Sequence, residues 1–386
     1  MSIFSHIWSF AGYLVPFIFV LGLVVFFHEF GHYLVGRWCG VKVDAFSMGI
    51  GPEIFAYTTK NGERWRIAAL PLGGYVKFHG DANATSTTPD AAVASMSKAE
   101  RDVTFGGQSV AKRAAIVVAG PLANFALAIV IFAGIFYTYG RHIIVPRVIA
   151  VQENSAAAVA GFKAGDLIVA VNGKEIESFS DMQRIVSTHA DVAVVFKVQR
   201  ETGVQDLTAT PRMRELKGPF GRFRIGVLGV EASNQGANVY EKSYGVIDST
   251  RLAVDETIFV LERTAAYIGG LFLGNESVDQ LSGPIGTAAV AGEMAKISFG
   301  ALLNLAAILS ISIGILNLLP VPMLDGGHLM YYAYEAIRGR ALSERLQEYG
   351  FRLGLSLVIC LMVFATYNDV ARFGPVMLNW ITSLWI

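Results

Sequence analysis

The chain is short of charge and nearly free of cysteine. Only 16% of its 386 residues are Asp, Glu, Lys or Arg, against 53% hydrophobic, a balance uncommon in soluble domains that makes a membrane class the leading expectation. Lys+Arg and Asp+Glu are equal at 31 each, so no charge excess invites nucleic acid, and no nucleic-acid partner is expected. Two cysteines, Cys39 and Cys360, are too few and too badly placed for a disulfide framework or a Cys-based metal site. No Lys or Arg precedes the first apolar run. A signal peptide needs a basic start, so the run is expected to stay in the mature protein.

Long apolar runs are what the chain has in quantity. Four stretches, about 8–33, 114–137, 300–319 and 351–368, approach the ~20 apolar residues that cross a bilayer as a helix. The connection between the first two carries ten basic residues, and the third connection adds Arg338, Arg340 and Arg345. Residues 1–12 have none, and the tail after Tyr367 has only Arg372. The positive-inside rule then puts both basic connections in the cytoplasm and both termini outside. The long connection from about 140 to 300 falls outside by parity.

Within that loop, strand-like runs such as Leu167 to Val171 and Val192 to Val198 flank a helical pattern at Asp181 to Ser187, the signature of a small mixed α/β module. The segment from Gly161 to Gly173 resembles the core of a PDZ domain, with a turn at Gly165-Asp166 and a tight hairpin at Asn172-Gly173. Phe223 to Val227 is a possible carboxylate-loop and strand segment of that module. Residues 254–273 mix apolar and charged side chains as a helix on the membrane surface would.

Nearer the N-terminus, Ile54 to Thr59 and Arg64 to Ala69 read as a hairpin joined through Lys60-Asn61-Gly62-Glu63, with Asn-Gly supplying positive φ. An extended piece, Gly73-Gly74-Tyr75-Val76, follows it. Residues 82–97 are rich in Ala, Ser and Thr and read as a loop. The organisation expected is a membrane core over 1–140, a PDZ-like domain over 141–232, interfacial helices over 233–299 and a second membrane core over 300–386.

His28-Glu29-Phe30-Gly31-His32 is an H-E-x-x-H sequence. Four residues apart on a helix, the two histidines project from one face and can hold one metal ion. Glu29, ~100° round the helix, could take a proton from the attacking water and pass it to the leaving amine. Three ionisable groups inside an apolar span would each cost ~2.5 kcal/mol or more uncompensated; a bound cation compensates them.

Catalytic zinc takes three protein ligands, so one is missing from the motif. His79, Asp325, His328 and Glu335 are the candidates. Asp325 follows the third apolar stretch, where Pro320, Pro322 and two glycines end the helix. The first and third spans run in the same direction, so His28, His32 and Asp325 can meet on one side, towards the cytoplasmic leaflet. Asn317 and Asn124 are amides in apolar helices that need partners. Asn317 suits either contact with substrate backbone or an oxyanion or helix-to-helix packing, and Asn124 a structural role.

H-E-F-G-H in the first span, G-P-L-A-N at Gly120 to Asn124, and N-L-L-P-V-P-M-L-D-G-G from Asn317 together resemble the site-2 protease family. The likeness covers nearly the whole chain and is greatest to the type of the bacterial regulator of sigma-E protease. Relatives of that type often carry two PDZ modules, whereas about 160 residues here leave room for one. The resemblance implies a polytopic α-helical membrane protein with four transmembrane helices, a membrane-associated β-hairpin and an extracytoplasmic PDZ domain. It implies a Zn2+ endopeptidase of the bacterial inner membrane with ligands His28, His32 and Asp325 and base Glu29.

The substrates it implies are transmembrane segments of single-span proteins, anti-sigma factors or remnant signal peptides among them, already trimmed by another protease. They would be unwound as an added strand along Gly73, Gly74, Tyr75 and Val76, while the PDZ-like module takes peptide C-termini or filters by size. Two other readings are a metal-dependent transporter or adaptor and a membrane-anchored protease acting on soluble proteins.

Overall fold

The computed structural model describes residues 3–80, 96–218, 221–233, 236–274, 276, 278 and 281–383; nearly all of the Ala, Ser and Thr-rich stretch lies outside them. In chain order the elements are α1 (Ile3–Trp38), β1 (Val43–Thr58), β2 (Arg64–Phe78), α2 (Lys98–Arg101), α3 (Val110–Tyr139), β3 (Arg141–Ile144), β4 (Val148–Val151), α4 (Ala156–Ala160), β5 (Leu167–Val171), β6 (Lys174–Glu175) and α5 (Phe179–Thr188). They continue with β7 (Val194–Arg200), β8 (Gly203–Ala209), β9 (Arg212–Gly218), β10 (Gly221–Val227), β11 (Val230–Ala232), β12 (Val239–Lys242), α6 (Val246–Phe272), α7 (Pro284–Ile297), α8 (Phe299–Leu318), α9 (Asp325–Arg338) and α10 (Glu344–Ser383).

Among the described residues, four helical segments are long and apolar enough to cross a membrane: Ala11–Trp38, Val110–Tyr139, Phe299–Leu318 and Glu344–Arg372. They overlap all four expected stretches, as a membrane protein requires. Only 6% of the apolar window of the fourth segment is buried by protein, so its Leu, Ile and Val side chains need another apolar medium around them. The chain divides into two compact units, one of Met1–Phe132, Ala253–Ala265 and Ser282–Ile386, the other of Ala133–Leu252 and Ala266–Leu281.

In the first unit α1 packs along α7 and α8 through Phe17, Val20, Val290, Ala291, Leu302 and Leu305. A second apolar cluster joins Val43, Phe46, Val76 and Phe78 to Phe105, Ile116, Val117 and Tyr332. Helices α1 and α3 touch where Gly31 meets Ala119: a Cβ on Gly31 would lie 2.3 Å from the Ala119 carbonyl oxygen. Small residues let backbones approach in this way.

Strands β1 and β2 curl into more than a simple hairpin. Glu53 to Thr58 pair with Ala68 to Arg64, while Ala45 to Met48 stand between Arg64–Ile67 on one side and Lys77–Gly74 on the other. The run Gly74–Phe78 is therefore an edge, and among the described residues no further strand pairs with it. Of Asn61-Gly62 only Gly62 takes positive φ, +85°. The loop closes between Thr59 and Glu63 through a Gly62 to Thr59 hydrogen bond of 3.0 Å, and loops of that length need fewer left-handed residues than a two-residue turn. Buried Glu63 ties this loop to the end of α1, accepting from Arg37 and from the Tyr33 hydroxyl at 3.1 Å. Ile50, Ile54, Phe55, Tyr57 and Leu70 are exposed on the same sheet, which suits contact with lipid.

The second unit carries a four-stranded sheet in the order β6-β5-β7-β8. Its core joins Ile168, Val171, Val194, Phe196 and Val198 to Met182 and Val186 of α5. The expected strand Leu167–Val171 and helix at Asp181 to Ser187 are both present. Asn172 and Gly173 have φ of +49° and +77°, as a two-residue hairpin demands. Ser178 and Asp181 form a capping box at the start of α5. Strand β10 lies beside α5, with Gly226 so close that a Cβ would be 2.3 Å from the Val186 carbonyl oxygen.

Candidate metal and catalytic site

One turn of α1 separates His28 from His32, and their Nε2 atoms lie 3.3 Å apart. Asp325 arrives from elsewhere in the chain. Helix α8 ends at Leu318, Pro320 to Leu324 turn the chain, and Asp325 opens α9. Gly326 and Gly327 allow that turn to close: a Cβ on Gly326 would be 2.2 Å from the Leu319 carbonyl oxygen, and one on Gly327 2.4 Å from that of Val321. Met323 within the turn has φ +91°, a conformation unfavourable for a side chain of its size.

The Asp325 Oδ2 atom lies 3.3 Å from His28 Nε2 and 3.6 Å from His32 Nε2. It is buried and, among the described residues, has no hydrogen-bond partner. Three lone-pair atoms thus converge on one point, and among the described residues this is the group of His, Cys, Asp or Glu that could hold a metal ion. Ligands arranged tetrahedrally around zinc at ~2.0–2.1 Å stand ~3.3 Å from one another. The donor set and its spacing fit zinc. Burial would raise the Asp325 carboxyl, but the imidazoles, His32 foremost, outweigh it and hold the group below the usual carboxylate range.

Two of the other three candidate third ligands are engaged elsewhere. His79 pairs with Asp44 at 2.9 Å, and Glu335 with Arg113 at 2.6 Å. His328 lines the same cleft as the histidine pair, where burial pushes its imidazole below the ordinary pKa.

The cleft, about 230 Å³, is bordered by Glu29, Gly74, Tyr75, Val76, Asn317 and Met323 as well as the three candidate ligands. Gly73, at φ +149°, stands just outside it, against Ile50. Gly74 is pressed against the catalytic candidate: a Cβ there would meet Glu29 Cγ at 2.7 Å and the Ser47 carbonyl oxygen at 2.7 Å. Only a glycine lets the edge strand approach Glu29 so closely.

Sequence reasoning missed the face of α3 that backs the histidines. His32 Nδ1 lies 2.9 Å from the Ile116 carbonyl oxygen; as a donor there, the ring keeps a lone pair on Nε2. Gly120 leaves room for both rings, since a Cβ would be 2.3 Å from His32 Nε2 and 3.0 Å from His28 Cε1. Asn124, assigned a structural role from sequence, is fully buried with its amide 3.4 Å from His28 Nδ1. The spacing of Ile116, Gly120 and Asn124, four residues each, was the signal available in the sequence.

The family model described as peptidase family M50 matches residues 16–361. Over 361 residues the chain is 47% identical to Atu1380 of Agrobacterium fabrum, a protein named as a candidate zinc metalloprotease, covering 93% of this chain and 96% of that one. It is 46% identical over 363 residues to mll0638 of Mesorhizobium japonicum, similarly named, covering 94% and 99%. Identity to the metalloprotease MmpA of Caulobacter vibrioides is 39% over 383 residues, covering 93% and 96%. With these relatives, the donor set and the apolar helices that carry it, zinc is the cofactor and the chain belongs to peptidase family M50, the site-2 protease family, as a membrane zinc metalloprotease.

Proposed function

We propose that this metalloprotease is an intramembrane endopeptidase that cuts the transmembrane segments of single-span proteins, with His28, His32 and Asp325 holding zinc and Glu29 as general base. The observation that carries this reading is the edge strand Gly74–Phe78 lying against Glu29 beside an apolar helix that also bears both histidines. A substrate helix conceals its peptide groups in its own hydrogen bonds. Unwound, it would recover them by pairing with Gly74, Tyr75 and Val76, Gly73 leaving space at the strand's start.

Bound zinc supplies a Lewis acid for the scissile carbonyl and an activating charge for water. Glu29 takes the proton from the attacking water and returns it to the departing amine. Asn317, on the cleft wall, offers its amide N–H to the carbonyl oxygen as charge grows there. Counting from Ala11, His28 lies ~26 Å along the helix, deep enough for the cytoplasmic leaflet of a bacterial inner membrane with both termini outside.

The second unit is read as a PDZ-like domain facing the periplasm, of the regulator of sigma-E protease type. That domain would take peptide C-termini or exclude bulky outer domains, so that substrates arrive already trimmed. Anti-sigma factors and remnant signal peptides fit that requirement.

In lipid vesicles containing a single-span substrate, the Glu29→Gln variant is expected to keep its zinc and lose cleavage by at least ~1000-fold, within the span of general-base contributions and lost charge. Mass spectrometry of the wild-type products should place the cut inside the apolar segment. Cleavage by the variant at the wild-type rate would refute Glu29 as the base, absence of cleavage by the zinc-loaded wild type would favour a metal transporter or adaptor, and a cut outside the apolar segment would favour a protease of soluble proteins.

A further inference from the structure

Asn124 presents a chemical contradiction that its surroundings resolve in one way. It is fully buried on α3, a membrane-crossing helix. Its backbone carbonyl already accepts from Ser310 Oγ of α8 at 2.9 Å. Its side-chain Nδ2 lies 3.4 Å from His28 Nδ1, and its Oδ1 is buried without a hydrogen-bond partner among the described residues.

If Nδ2 donates to His28 Nδ1, the imidazole proton must sit on Nε2, the atom that points to Asp325. A histidine in that tautomer has no lone pair left for a metal. A 180° turn of the amide has the same shape and exchanges the roles of its two ends. Oδ1 then accepts from His28 Nδ1–H and Nε2 keeps its lone pair, while the amide NH2 takes the place the oxygen held. His32 has the equivalent support from the Ile116 carbonyl on the same helix, at 2.9 Å.

We infer that the Asn124 amide oxygen is the hydrogen-bond acceptor that fixes the His28 tautomer, making Asn124 a positioning residue for zinc affinity. The two histidines of one helix are thereby set by two oxygens of another, one from the backbone and one from an amide. A backbone oxygen cannot be lost by substitution; the amide can. This inference rests on His28 as a zinc ligand, proposed above.

The test is the zinc dissociation constant of the full-length protein in lipid nanodiscs, measured by competition with a chelator of known affinity. Asn124→Ala should weaken zinc binding ~10–100-fold, the usual loss on removing a partner of a ligating histidine. Asn124→Asp retains an acceptor and cannot donate, so it should bind zinc within ~3-fold of the wild type or more tightly, as charge-assisted acceptors do.

An affinity within twofold of wild type for Asn124→Ala, or equal weakening in both variants, overturns the inference. If Asn124→Asp fails to fold, nitrogen NMR of histidine-labelled, zinc-loaded wild type decides: a proton on His28 Nδ1 with a hydrogen-bonded shift supports the assignment, and an unprotonated Nδ1 refutes it. The His28→Ala variant separates the two levels. Unchanged zinc affinity there sinks the ligand assignment itself, whereas normal binding by Asn124→Ala beside loss in His28→Ala sinks only the role of Asn124.

Discussion

Gly120→Ala adds one methyl group to α3, and the structure gives it nowhere to go. The new Cβ would lie 2.3 Å from His32 Nε2, 2.5 Å from His32 Cε1 and 3.0 Å from His28 Cε1. Carbon contacts settle at ~3.5–4.0 Å, so the His32 ring must retreat by ~1 Å or the helices must part. A zinc site tolerates ~0.2 Å in its ligand distances. Displacement on this scale should therefore weaken zinc binding by at least ~100-fold, equivalent to ~2.7 kcal/mol.

The same change at Gly134, on the same helix, meets nothing within 4 Å. Both substitutions gain the intrinsic helix preference of Ala over Gly, ~0.5–1 kcal/mol, while only Gly120→Ala incurs overpacking of ~1–3 kcal/mol. Zinc content, chelator competition and melting temperature should be measured on the two variants side by side. We expect Gly134→Ala to match the wild type in zinc affinity and Gly120→Ala to lose it. Wild-type zinc affinity in Gly120→Ala would refute the placement of the histidine rings against α3.

Gly74→Ala puts a Cβ 2.7 Å from Glu29 Cγ and 2.7 Å from the Ser47 carbonyl oxygen, so cleavage in vesicles should fall ~100-fold or more with zinc affinity within threefold of wild type; loss of zinc instead would show that the edge strand supports the ligands and not the reaction. In the second unit, burial works to raise Asp166 and Asp181, but hydrogen bonds from Arg200 and Arg141 respectively win and lower both. Their stabilisation is fully present above the unfolded carboxylate value, ~3.9, and is lost as pH falls through the lower folded values. The melting temperature of the full chain should thus drop as pH falls below about 4, and Asp166→Asn should reduce that slope; an unchanged slope would refute the linkage.

His28, Glu29 and His32 were legible because a helix repeats every ~3.6 residues, so local spacing alone puts both imidazoles on one face. The four membrane segments were legible for a similarly local reason: bilayer thickness converts directly into a length of apolar chain. The strand Leu167–Val171, the helix after it and the Asn172-Gly173 turn were likewise written in periodicity and turn chemistry.

Other features depended on contacts between distant segments. Four side chains competed for the third position beside the histidines, and only the turn from α8 into α9 brings Asp325 there while Asp44 engages His79 and Arg113 engages Glu335. The length of β1 and β2 was underestimated by local pattern because Ala45 to Met48 pair on two sides at once, and pairing partners carry no mark in the strand itself. Gly120 and Asn124 looked like ordinary helix-packing residues for the same reason. What they support is decided by the side chains of α1 across the interface, 88 and 96 residues away in sequence from His32 and His28. Sequence determined which metal-binding motif the chain carries and which segments are apolar enough for a membrane; tertiary structure decided which carboxylate oxygen lies beside the two imidazoles, which strand edge borders them and which helix packs against their rings, because those are distances between residues that no local rule relates.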